Sequence, residues 1–128
     1  MTRQTVLLID DEPQFLTLMA RALRQDYTVL TAEDGLEGYA LLCQYKPDIV
    51  LLDIMMPMID GWTVLRKIRS NQALSRVPVI VVTGIGREAA EHQAERLDVT
   101  TILQKPVLPS QLVKAIREAL AESAPERE

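Results

Sequence analysis

The stretch Pro47-Asp48-Ile49-Val50-Leu51-Leu52-Asp53-Ile54-Met55-Met56-Pro57 decides how the whole chain is read. Four consecutive aliphatic residues, Ile49 to Leu52, stop abruptly at a carboxylate, Asp53. A continuous apolar run, rather than an alternating one, suits a strand buried on both faces of a parallel sheet. Working outward, Val6-Leu7-Leu8-Ile9 ends in Asp10-Asp11-Glu12 and Val79-Ile80-Val81-Val82 ends in Thr83-Gly84. Val99-Thr100-Thr101-Ile102-Leu103 leads to Lys105-Pro106, and a weaker fifth run covers Tyr27 to Ala32.

Segments of helical period lie between these runs. Leu16, Met19, Ala20 and Leu23 repeat at i, i+3, i+4 and i+7, as do Leu112, Ala115, Ile116 and Ala119. Val64, Leu65 and Ile68 give a shorter stripe after Gly61, and Leu36, Ala40 and Cys43 suggest another, with Cys43 in the core. The weakest pattern is Arg87 to Leu97, whose apolar face is mostly alanine. Pro13 and Pro109 suit first helical turns, whereas Pro47 and Pro78 come just before strands. Five alternations of strand and helix predict an α/β domain with right-handed crossovers and helices on both faces.

The 128 residues fit one domain, with roughly two-thirds of the unfolded surface buried on folding. Residues 4–122 are expected to form that domain, and 123–128, Ser-Ala-Pro-Glu-Arg-Glu, a polar tail or the start of a linker. A net charge of -4 argues against a broad nucleic-acid-binding face. One cysteine and one histidine exclude an internal disulfide and a Cys/His zinc site. The first apolar run, entered from Met1-Thr2-Arg3-Gln4, is too short for a membrane span or a signal peptide. A reducing, cytoplasmic setting is the expectation.

Ligands of open α/β sheets bind beyond the carboxyl ends of the strands, where strand order reverses. In the flavodoxin-like order 2-1-3-4-5, strands one, three, four and five surround a single crevice, so Asp10, Asp11 and Asp53 crowd together. At about 5 Å and an effective dielectric near 20, each ionised pair repels by roughly 3 kcal/mol. A divalent cation and the ammonium of Lys105 are the candidates to relieve it, and hard oxygen ligands favour Mg²⁺. Such a site suits phosphoryl transfer. Asp53 is the nucleophile, the Thr83 hydroxyl donates to a phosphoryl oxygen, Lys105 offsets charge, and Gly84 leaves the approach open.

These residues resemble the response-regulator receiver domains of two-component signalling, the CheY-like superfamily. The likeness spans nearly the whole chain through Leu8-Ile9-Asp10-Asp11-Glu12-Pro13, Ala32-Glu33-Asp34-Gly35, Pro47 to Pro57, Asp60-Gly61, Val82-Thr83-Gly84 and Lys105-Pro106. The resemblance implies that Asp53 is the phosphoacceptor, with Asp11 binding Mg²⁺ (or Mn²⁺) directly and Asp10 through water. It also implies the backbone carbonyl of Met55 as a metal ligand, Thr83 as the switch hydroxyl, and a cis Lys105–Pro106 bond. A histidine kinase or phosphotransfer protein would donate the phosphoryl group. The face of helix four, strand five and helix five would bind a downstream protein, and a homodimer through that face is compatible with the likeness. Ile102 stands where such domains usually carry Tyr or Phe. Met55 and Ile85, flanking the phosphoryl position, are expected to hinder water and prolong the phosphorylated state.

Other residues have plainer readings. Glu12 reads as a first-turn residue favoured by the helix dipole, and Asp34 and Asp60 as helix-start signals. His92 and the cluster Arg66, Lys67 and Arg69 read as solvated surface, and Trp62 as a partly buried anchor of helix three. Three alternatives compete with a phosphorylated receiver. A pseudo-receiver would keep the fold without phosphorylation. A flavin carrier would need a hydroxyl- and glycine-rich loop after strand one, and Asp-Asp-Glu-Pro stands there. A phosphatase of the dehalogenase type would need Asp-x-Asp, whereas Asp53 is followed by Ile54 and Met55.

Overall fold

The computed structural model describes residues 3–84 and 86–123. Five parallel strands alternate with five helices: β1 (Thr5–Ile9), α1 (Pro13–Leu23), β2 (Thr28–Ala32), α2 (Gly35–Tyr45), β3 (Ile49–Asp53), α3 (Gly61–Ser70), β4 (Val79–Thr83), α4 (Arg87–Ala94), β5 (Thr101–Gln104) and α5 (Pro109–Ser123). The sheet order is β2-β1-β3-β4-β5, the flavodoxin-like arrangement anticipated from the sequence. The three continuous aliphatic runs are the three interior strands. β2, at an edge, is half exposed, which explains its weaker apolar signal.

Alternation along the strands divides the core in two. Leu7, Ile9, Val50, Leu52, Val79 and Val81 pack against α2, α3 and α4, whereas Val6, Leu8, Ile49, Leu51, Ile80 and Val82 pack against α1 and α5. The α1 stripe Leu16, Met19, Ala20 and Leu23 is fully accounted for in the second half. Burying each such side chain stabilises the fold by about 1.5–3 kcal/mol.

Four expectations need correction. On α2 the buried residues are Gly35, Gly38 and Leu42, while Leu36, Ala40 and Cys43 face solvent. The cause is close packing: a β-carbon on Gly38 would lie 2.5 Å from the side chain of Ile9, so the helix turns its glycines inward. β5 begins at Thr101, two residues later than Val99. Trp62 is buried rather than partly exposed. Arg69 is not a solvated surface charge either. Its guanidinium donates to the carbonyls of Leu97 (2.8 Å), Ser75 (3.1 Å), Val77 (2.7 Å) and Asp98 (2.8 Å), tying the end of α3 to two loops. Burial lowers its pKa, and the charge of Asp98 partly opposes that.

Helix starts follow the sequence reading. Asp34 accepts from the N–H of Glu37 and Asp60 from that of Thr63, both at 2.8 Å, and Pro13 and Pro109 open α1 and α5. His92 is exposed. Ser123 closes α5, and the rest of the expected tail, 124–128, lies outside the described residues, as do Met1, Thr2 and Ile85.

Candidate functional site

Strand register builds the site. Ile9 of β1 lies beside Leu52 of β3, so Asp10 and Asp53 are the next residues along two neighbouring strands. Side chains alternate between faces, so both acids fall on the side of Leu8 and Leu51, beneath α1 and α5. Asp11 follows at the rim, and carboxylate oxygens of Asp10, Asp11 and Asp53 all lie within 4.8 Å of one another.

Each buried acid is held by the backbone two residues on. Asp10 Oδ1 accepts from the N–H of Glu12 at 2.9 Å, and Asp53 Oδ1 from that of Met55 at 3.1 Å. Gly61 fixes the loop between β3 and α3 against this point. Its N–H donates to the carbonyl of Ile54 at 3.1 Å, and a β-carbon there would stand 2.5 Å from the carbonyl oxygen of Asp53. Between them the chain passes through Met58, in the left-handed region at φ 69 and 90% exposed.

Lys105 closes the site from the end of β5. Its N–H donates to the carbonyl of Thr83 at 2.8 Å, and the Lys105–Pro106 bond is cis. The ammonium lies 3.1 Å from Asp10 Oδ2 and 3.7 Å from Asp53 Oδ2, is hydrogen-bonded to Glu12 Oε1, and stands 4.9 Å from the Phe15 ring centre. Thr83 is wholly buried at the end of β4, one residue past Val82, the neighbour of Asp53. A β-carbon on Gly84 would meet none of the described residues within 4 Å, so their packing does not demand glycine there. Met55 is exposed beside Asp53.

Burial pushes Asp53 up to about 6, with the charges of Asp10 and Asp11 adding to it and the Met55 N–H and Lys105 pulling back. Asp10 is also raised, chiefly by burial. Burial opposes the charge on Lys105 as well, yet its hydrogen bond to Glu12 and its ion pair with Asp10 raise its pKa overall. One ammonium thus serves several carboxylates and leaves them under-neutralised. Asp10 Oδ2 is buried and has no hydrogen-bond partner among the described residues, its nearest counter-charge being the Lys105 ammonium at 3.1 Å. Hard, anionic and under-satisfied oxygens fit a divalent cation such as Mg²⁺.

The sequence brought Asp10, Asp11, Asp53 and Lys105 to this rim, and the structure unites them. Glu12 stands at the helix start as expected, one residue before the first turn, and outside the acidic cluster. It is the N-cap of α1 but caps nothing with its side chain, which turns to Lys105 instead. The absence of Ser, Thr, Asp or Asn at that cap was the available signal.

The response regulator receiver domain model matches residues 6–117. The chain is 37% identical over 117 residues to Protein PilH of Pseudomonas aeruginosa, covering 91% of this chain and 97% of PilH. It is 38% identical to the probable transcriptional regulator ycf27 of Guillardia theta, covering 93% of this chain but only 46% of that protein. Among solved structures, the CheY-like receiver domain protein of Methanospirillum hungatei superposes with a TM-score of 0.90 at 25% identity, covering 98% of this chain and 99% of that one. No helix of the described residues is long and apolar enough to cross a membrane. A two-component signalling module rather than an enzyme, the chain belongs to the response regulator receiver domain family.

Proposed function

We propose that the protein is a phosphorylation-dependent switch that takes a phosphoryl group onto Asp53 from the phosphohistidine of a histidine kinase or phosphotransfer protein. The observation carrying this reading is the convergence of Asp10, Asp11 and Asp53 within 4.8 Å, with the Lys105 ammonium 3.7 Å from Asp53. A carboxylate oxygen of Asp53 attacks phosphorus in line, and the bond from phosphorus to the donor imidazole nitrogen breaks. The imidazole keeps the electron pair and takes a proton. Asp10, Asp11, Asp53 and the carbonyl of Met55 would hold Mg²⁺ or Mn²⁺, which when bound offsets charge on the phosphoryl group. Lys105 adds a second positive centre, and Thr83 offers a hydroxyl at the end of β4.

The approach of a protein donor has support in the surface. Among the described residues, Leu18, Met55, Met58 and Leu108 are exposed large apolar side chains of α1 and of the loops after β3 and β5. Of these, Met55 and Met58 lie in the loop that follows Asp53, where an exposed apolar group suits a protein contact. The face of α4, β5 and α5 is proposed for the downstream partner, and a cytoplasmic location follows from the two-component role.

The test is Mg²⁺-dependent labelling by acetyl phosphate and by a phosphorylated kinase, with the modified residue mapped by mass spectrometry. Label on Asp53, lost in Asp53→Asn, supports the proposal. No label in wild type favours the interaction-only pseudo-receiver.

A further inference from the structure

The geometry points to Glu12 as a positioning residue that restrains phosphorylation by holding the Lys105 ammonium away from Asp53. The inference rests on the phosphoacceptor reading of Asp53 and adds a control on the lysine. Three carboxylates compete for the ammonium. It is bonded to Glu12, 3.1 Å from Asp10 and farthest, at 3.7 Å, from Asp53. The contact with Glu12 follows from local structure. Pro13 at the first helical position fixes the entry to α1, and Asp10 Oδ1 pins the Glu12 N–H at 2.9 Å. The side chain of this N-cap accepts no helix N–H and reaches back over the rim. Glu12 is 58% exposed, so its contact with Lys105 is a separable surface pair, unlike that with buried Asp10.

A phosphoryl group on Asp53 adds negative charge at the site, and Lys105 must turn toward it. The Glu12 contact is then lost or shared, so it stabilises the unphosphorylated form relative to the transition state. An exposed pair of this kind changes the rate by about two- to five-fold. Glu12→Gln removes the charge. Glu12→Asp keeps it but shortens the reach by one methylene, and aspartate at an N-cap prefers the helix N–H groups. Contact and simple charge repulsion are thereby separated.

The experiment measures the initial rate of acetyl phosphate labelling at saturating Mg²⁺ for wild type and both variants. It also measures metal-free acylation of the Lys105 amine, with exposed Lys114 as internal standard. Both variants should label about two- to five-fold faster than wild type and show greater Lys105 acylation relative to Lys114. If Glu12→Asp behaves as wild type while Glu12→Gln is fast, charge rather than contact is responsible and the inference is overturned. Unchanged labelling in both variants overturns it as well. A wild type that takes no label sinks the phosphoacceptor reading instead, and the acylation arm still reports whether Glu12 holds the lysine.

Discussion

Replacing Asp53 by Asn should stabilise the metal-free protein at neutral pH, although it removes the residue on which the proposed function depends. Burial chiefly, and Asp10 next, push Asp53 from 3.8 up to about 6. Between those values the folded protein binds a proton that the unfolded chain has released, so stability falls as pH rises through the window. The difference corresponds to about 3 kcal/mol once both states are ionised at pH 7. Asn keeps the shape and an oxygen acceptor for the Met55 N–H without the charge, while Lys105 retains Asp10 and Glu12. That figure already includes the 3.7 Å pairing with Lys105, which holds the Asp53 value down. The net expectation is about 1–3 kcal/mol at pH 7, or roughly 3–10 °C in Tm, vanishing near pH 4. Denaturant unfolding from pH 4 to 8, with and without Mg²⁺, measures it. Mg²⁺ should stabilise wild type by mass action and leave Asp53→Asn nearly unmoved. Equal stability of the two proteins at every pH, or equal response to Mg²⁺, would refute the reasoning.

Gly61→Ala places a β-carbon 2.5 Å from the Asp53 carbonyl oxygen and from the Ile54 α-carbon. It should cost about 1–3 kcal/mol in chemical denaturation and slow Asp53 labelling, because backbone must move. Arg69→Met removes four hydrogen bonds to backbone carbonyls and should cost about 2–4 kcal/mol. Amide hydrogen exchange should then quicken around Val77 and Asp98, and an unchanged pattern would count against the tether. Met55, exposed beside Asp53, should slow hydrolysis of the acyl phosphate, so Met55→Ala should shorten its half-life several-fold. A wild-type half-life of only seconds would dismiss that role.

The interior strands were legible because burial on both faces demands unbroken aliphatic runs, and α1 because its stripe is purely aliphatic. The site was legible for the same reason, since each run ends in a polar residue and parallel strands bring those ends to one edge. α2 was misread because hydrophobic periodicity gives weight to Leu36, Ala40 and Cys43, and none to glycine. Gly35 and Gly38 pack by having no side chain, which leaves no apolar signal. Arg69 was misread because a long cation looks the same in sequence whether it is solvated or bonded to carbonyls. The Glu12 contact depends on which way a cap residue turns, and spacing says nothing about that.

The register of β1 against β3 makes the acidic pair sensitive to length as well as to composition. Inserting one residue between Leu52 and Asp53 would leave the aliphatic ladder from Val6 to Ile9 and from Ile49 to Leu52 unchanged. It would nevertheless swing the displaced carboxylate to the opposite side of the sheet. Sequence drift can therefore exchange one aliphatic residue for another in these strands at little risk, whereas a single-codon insertion or deletion at their ends would disarm the protein while it still folds.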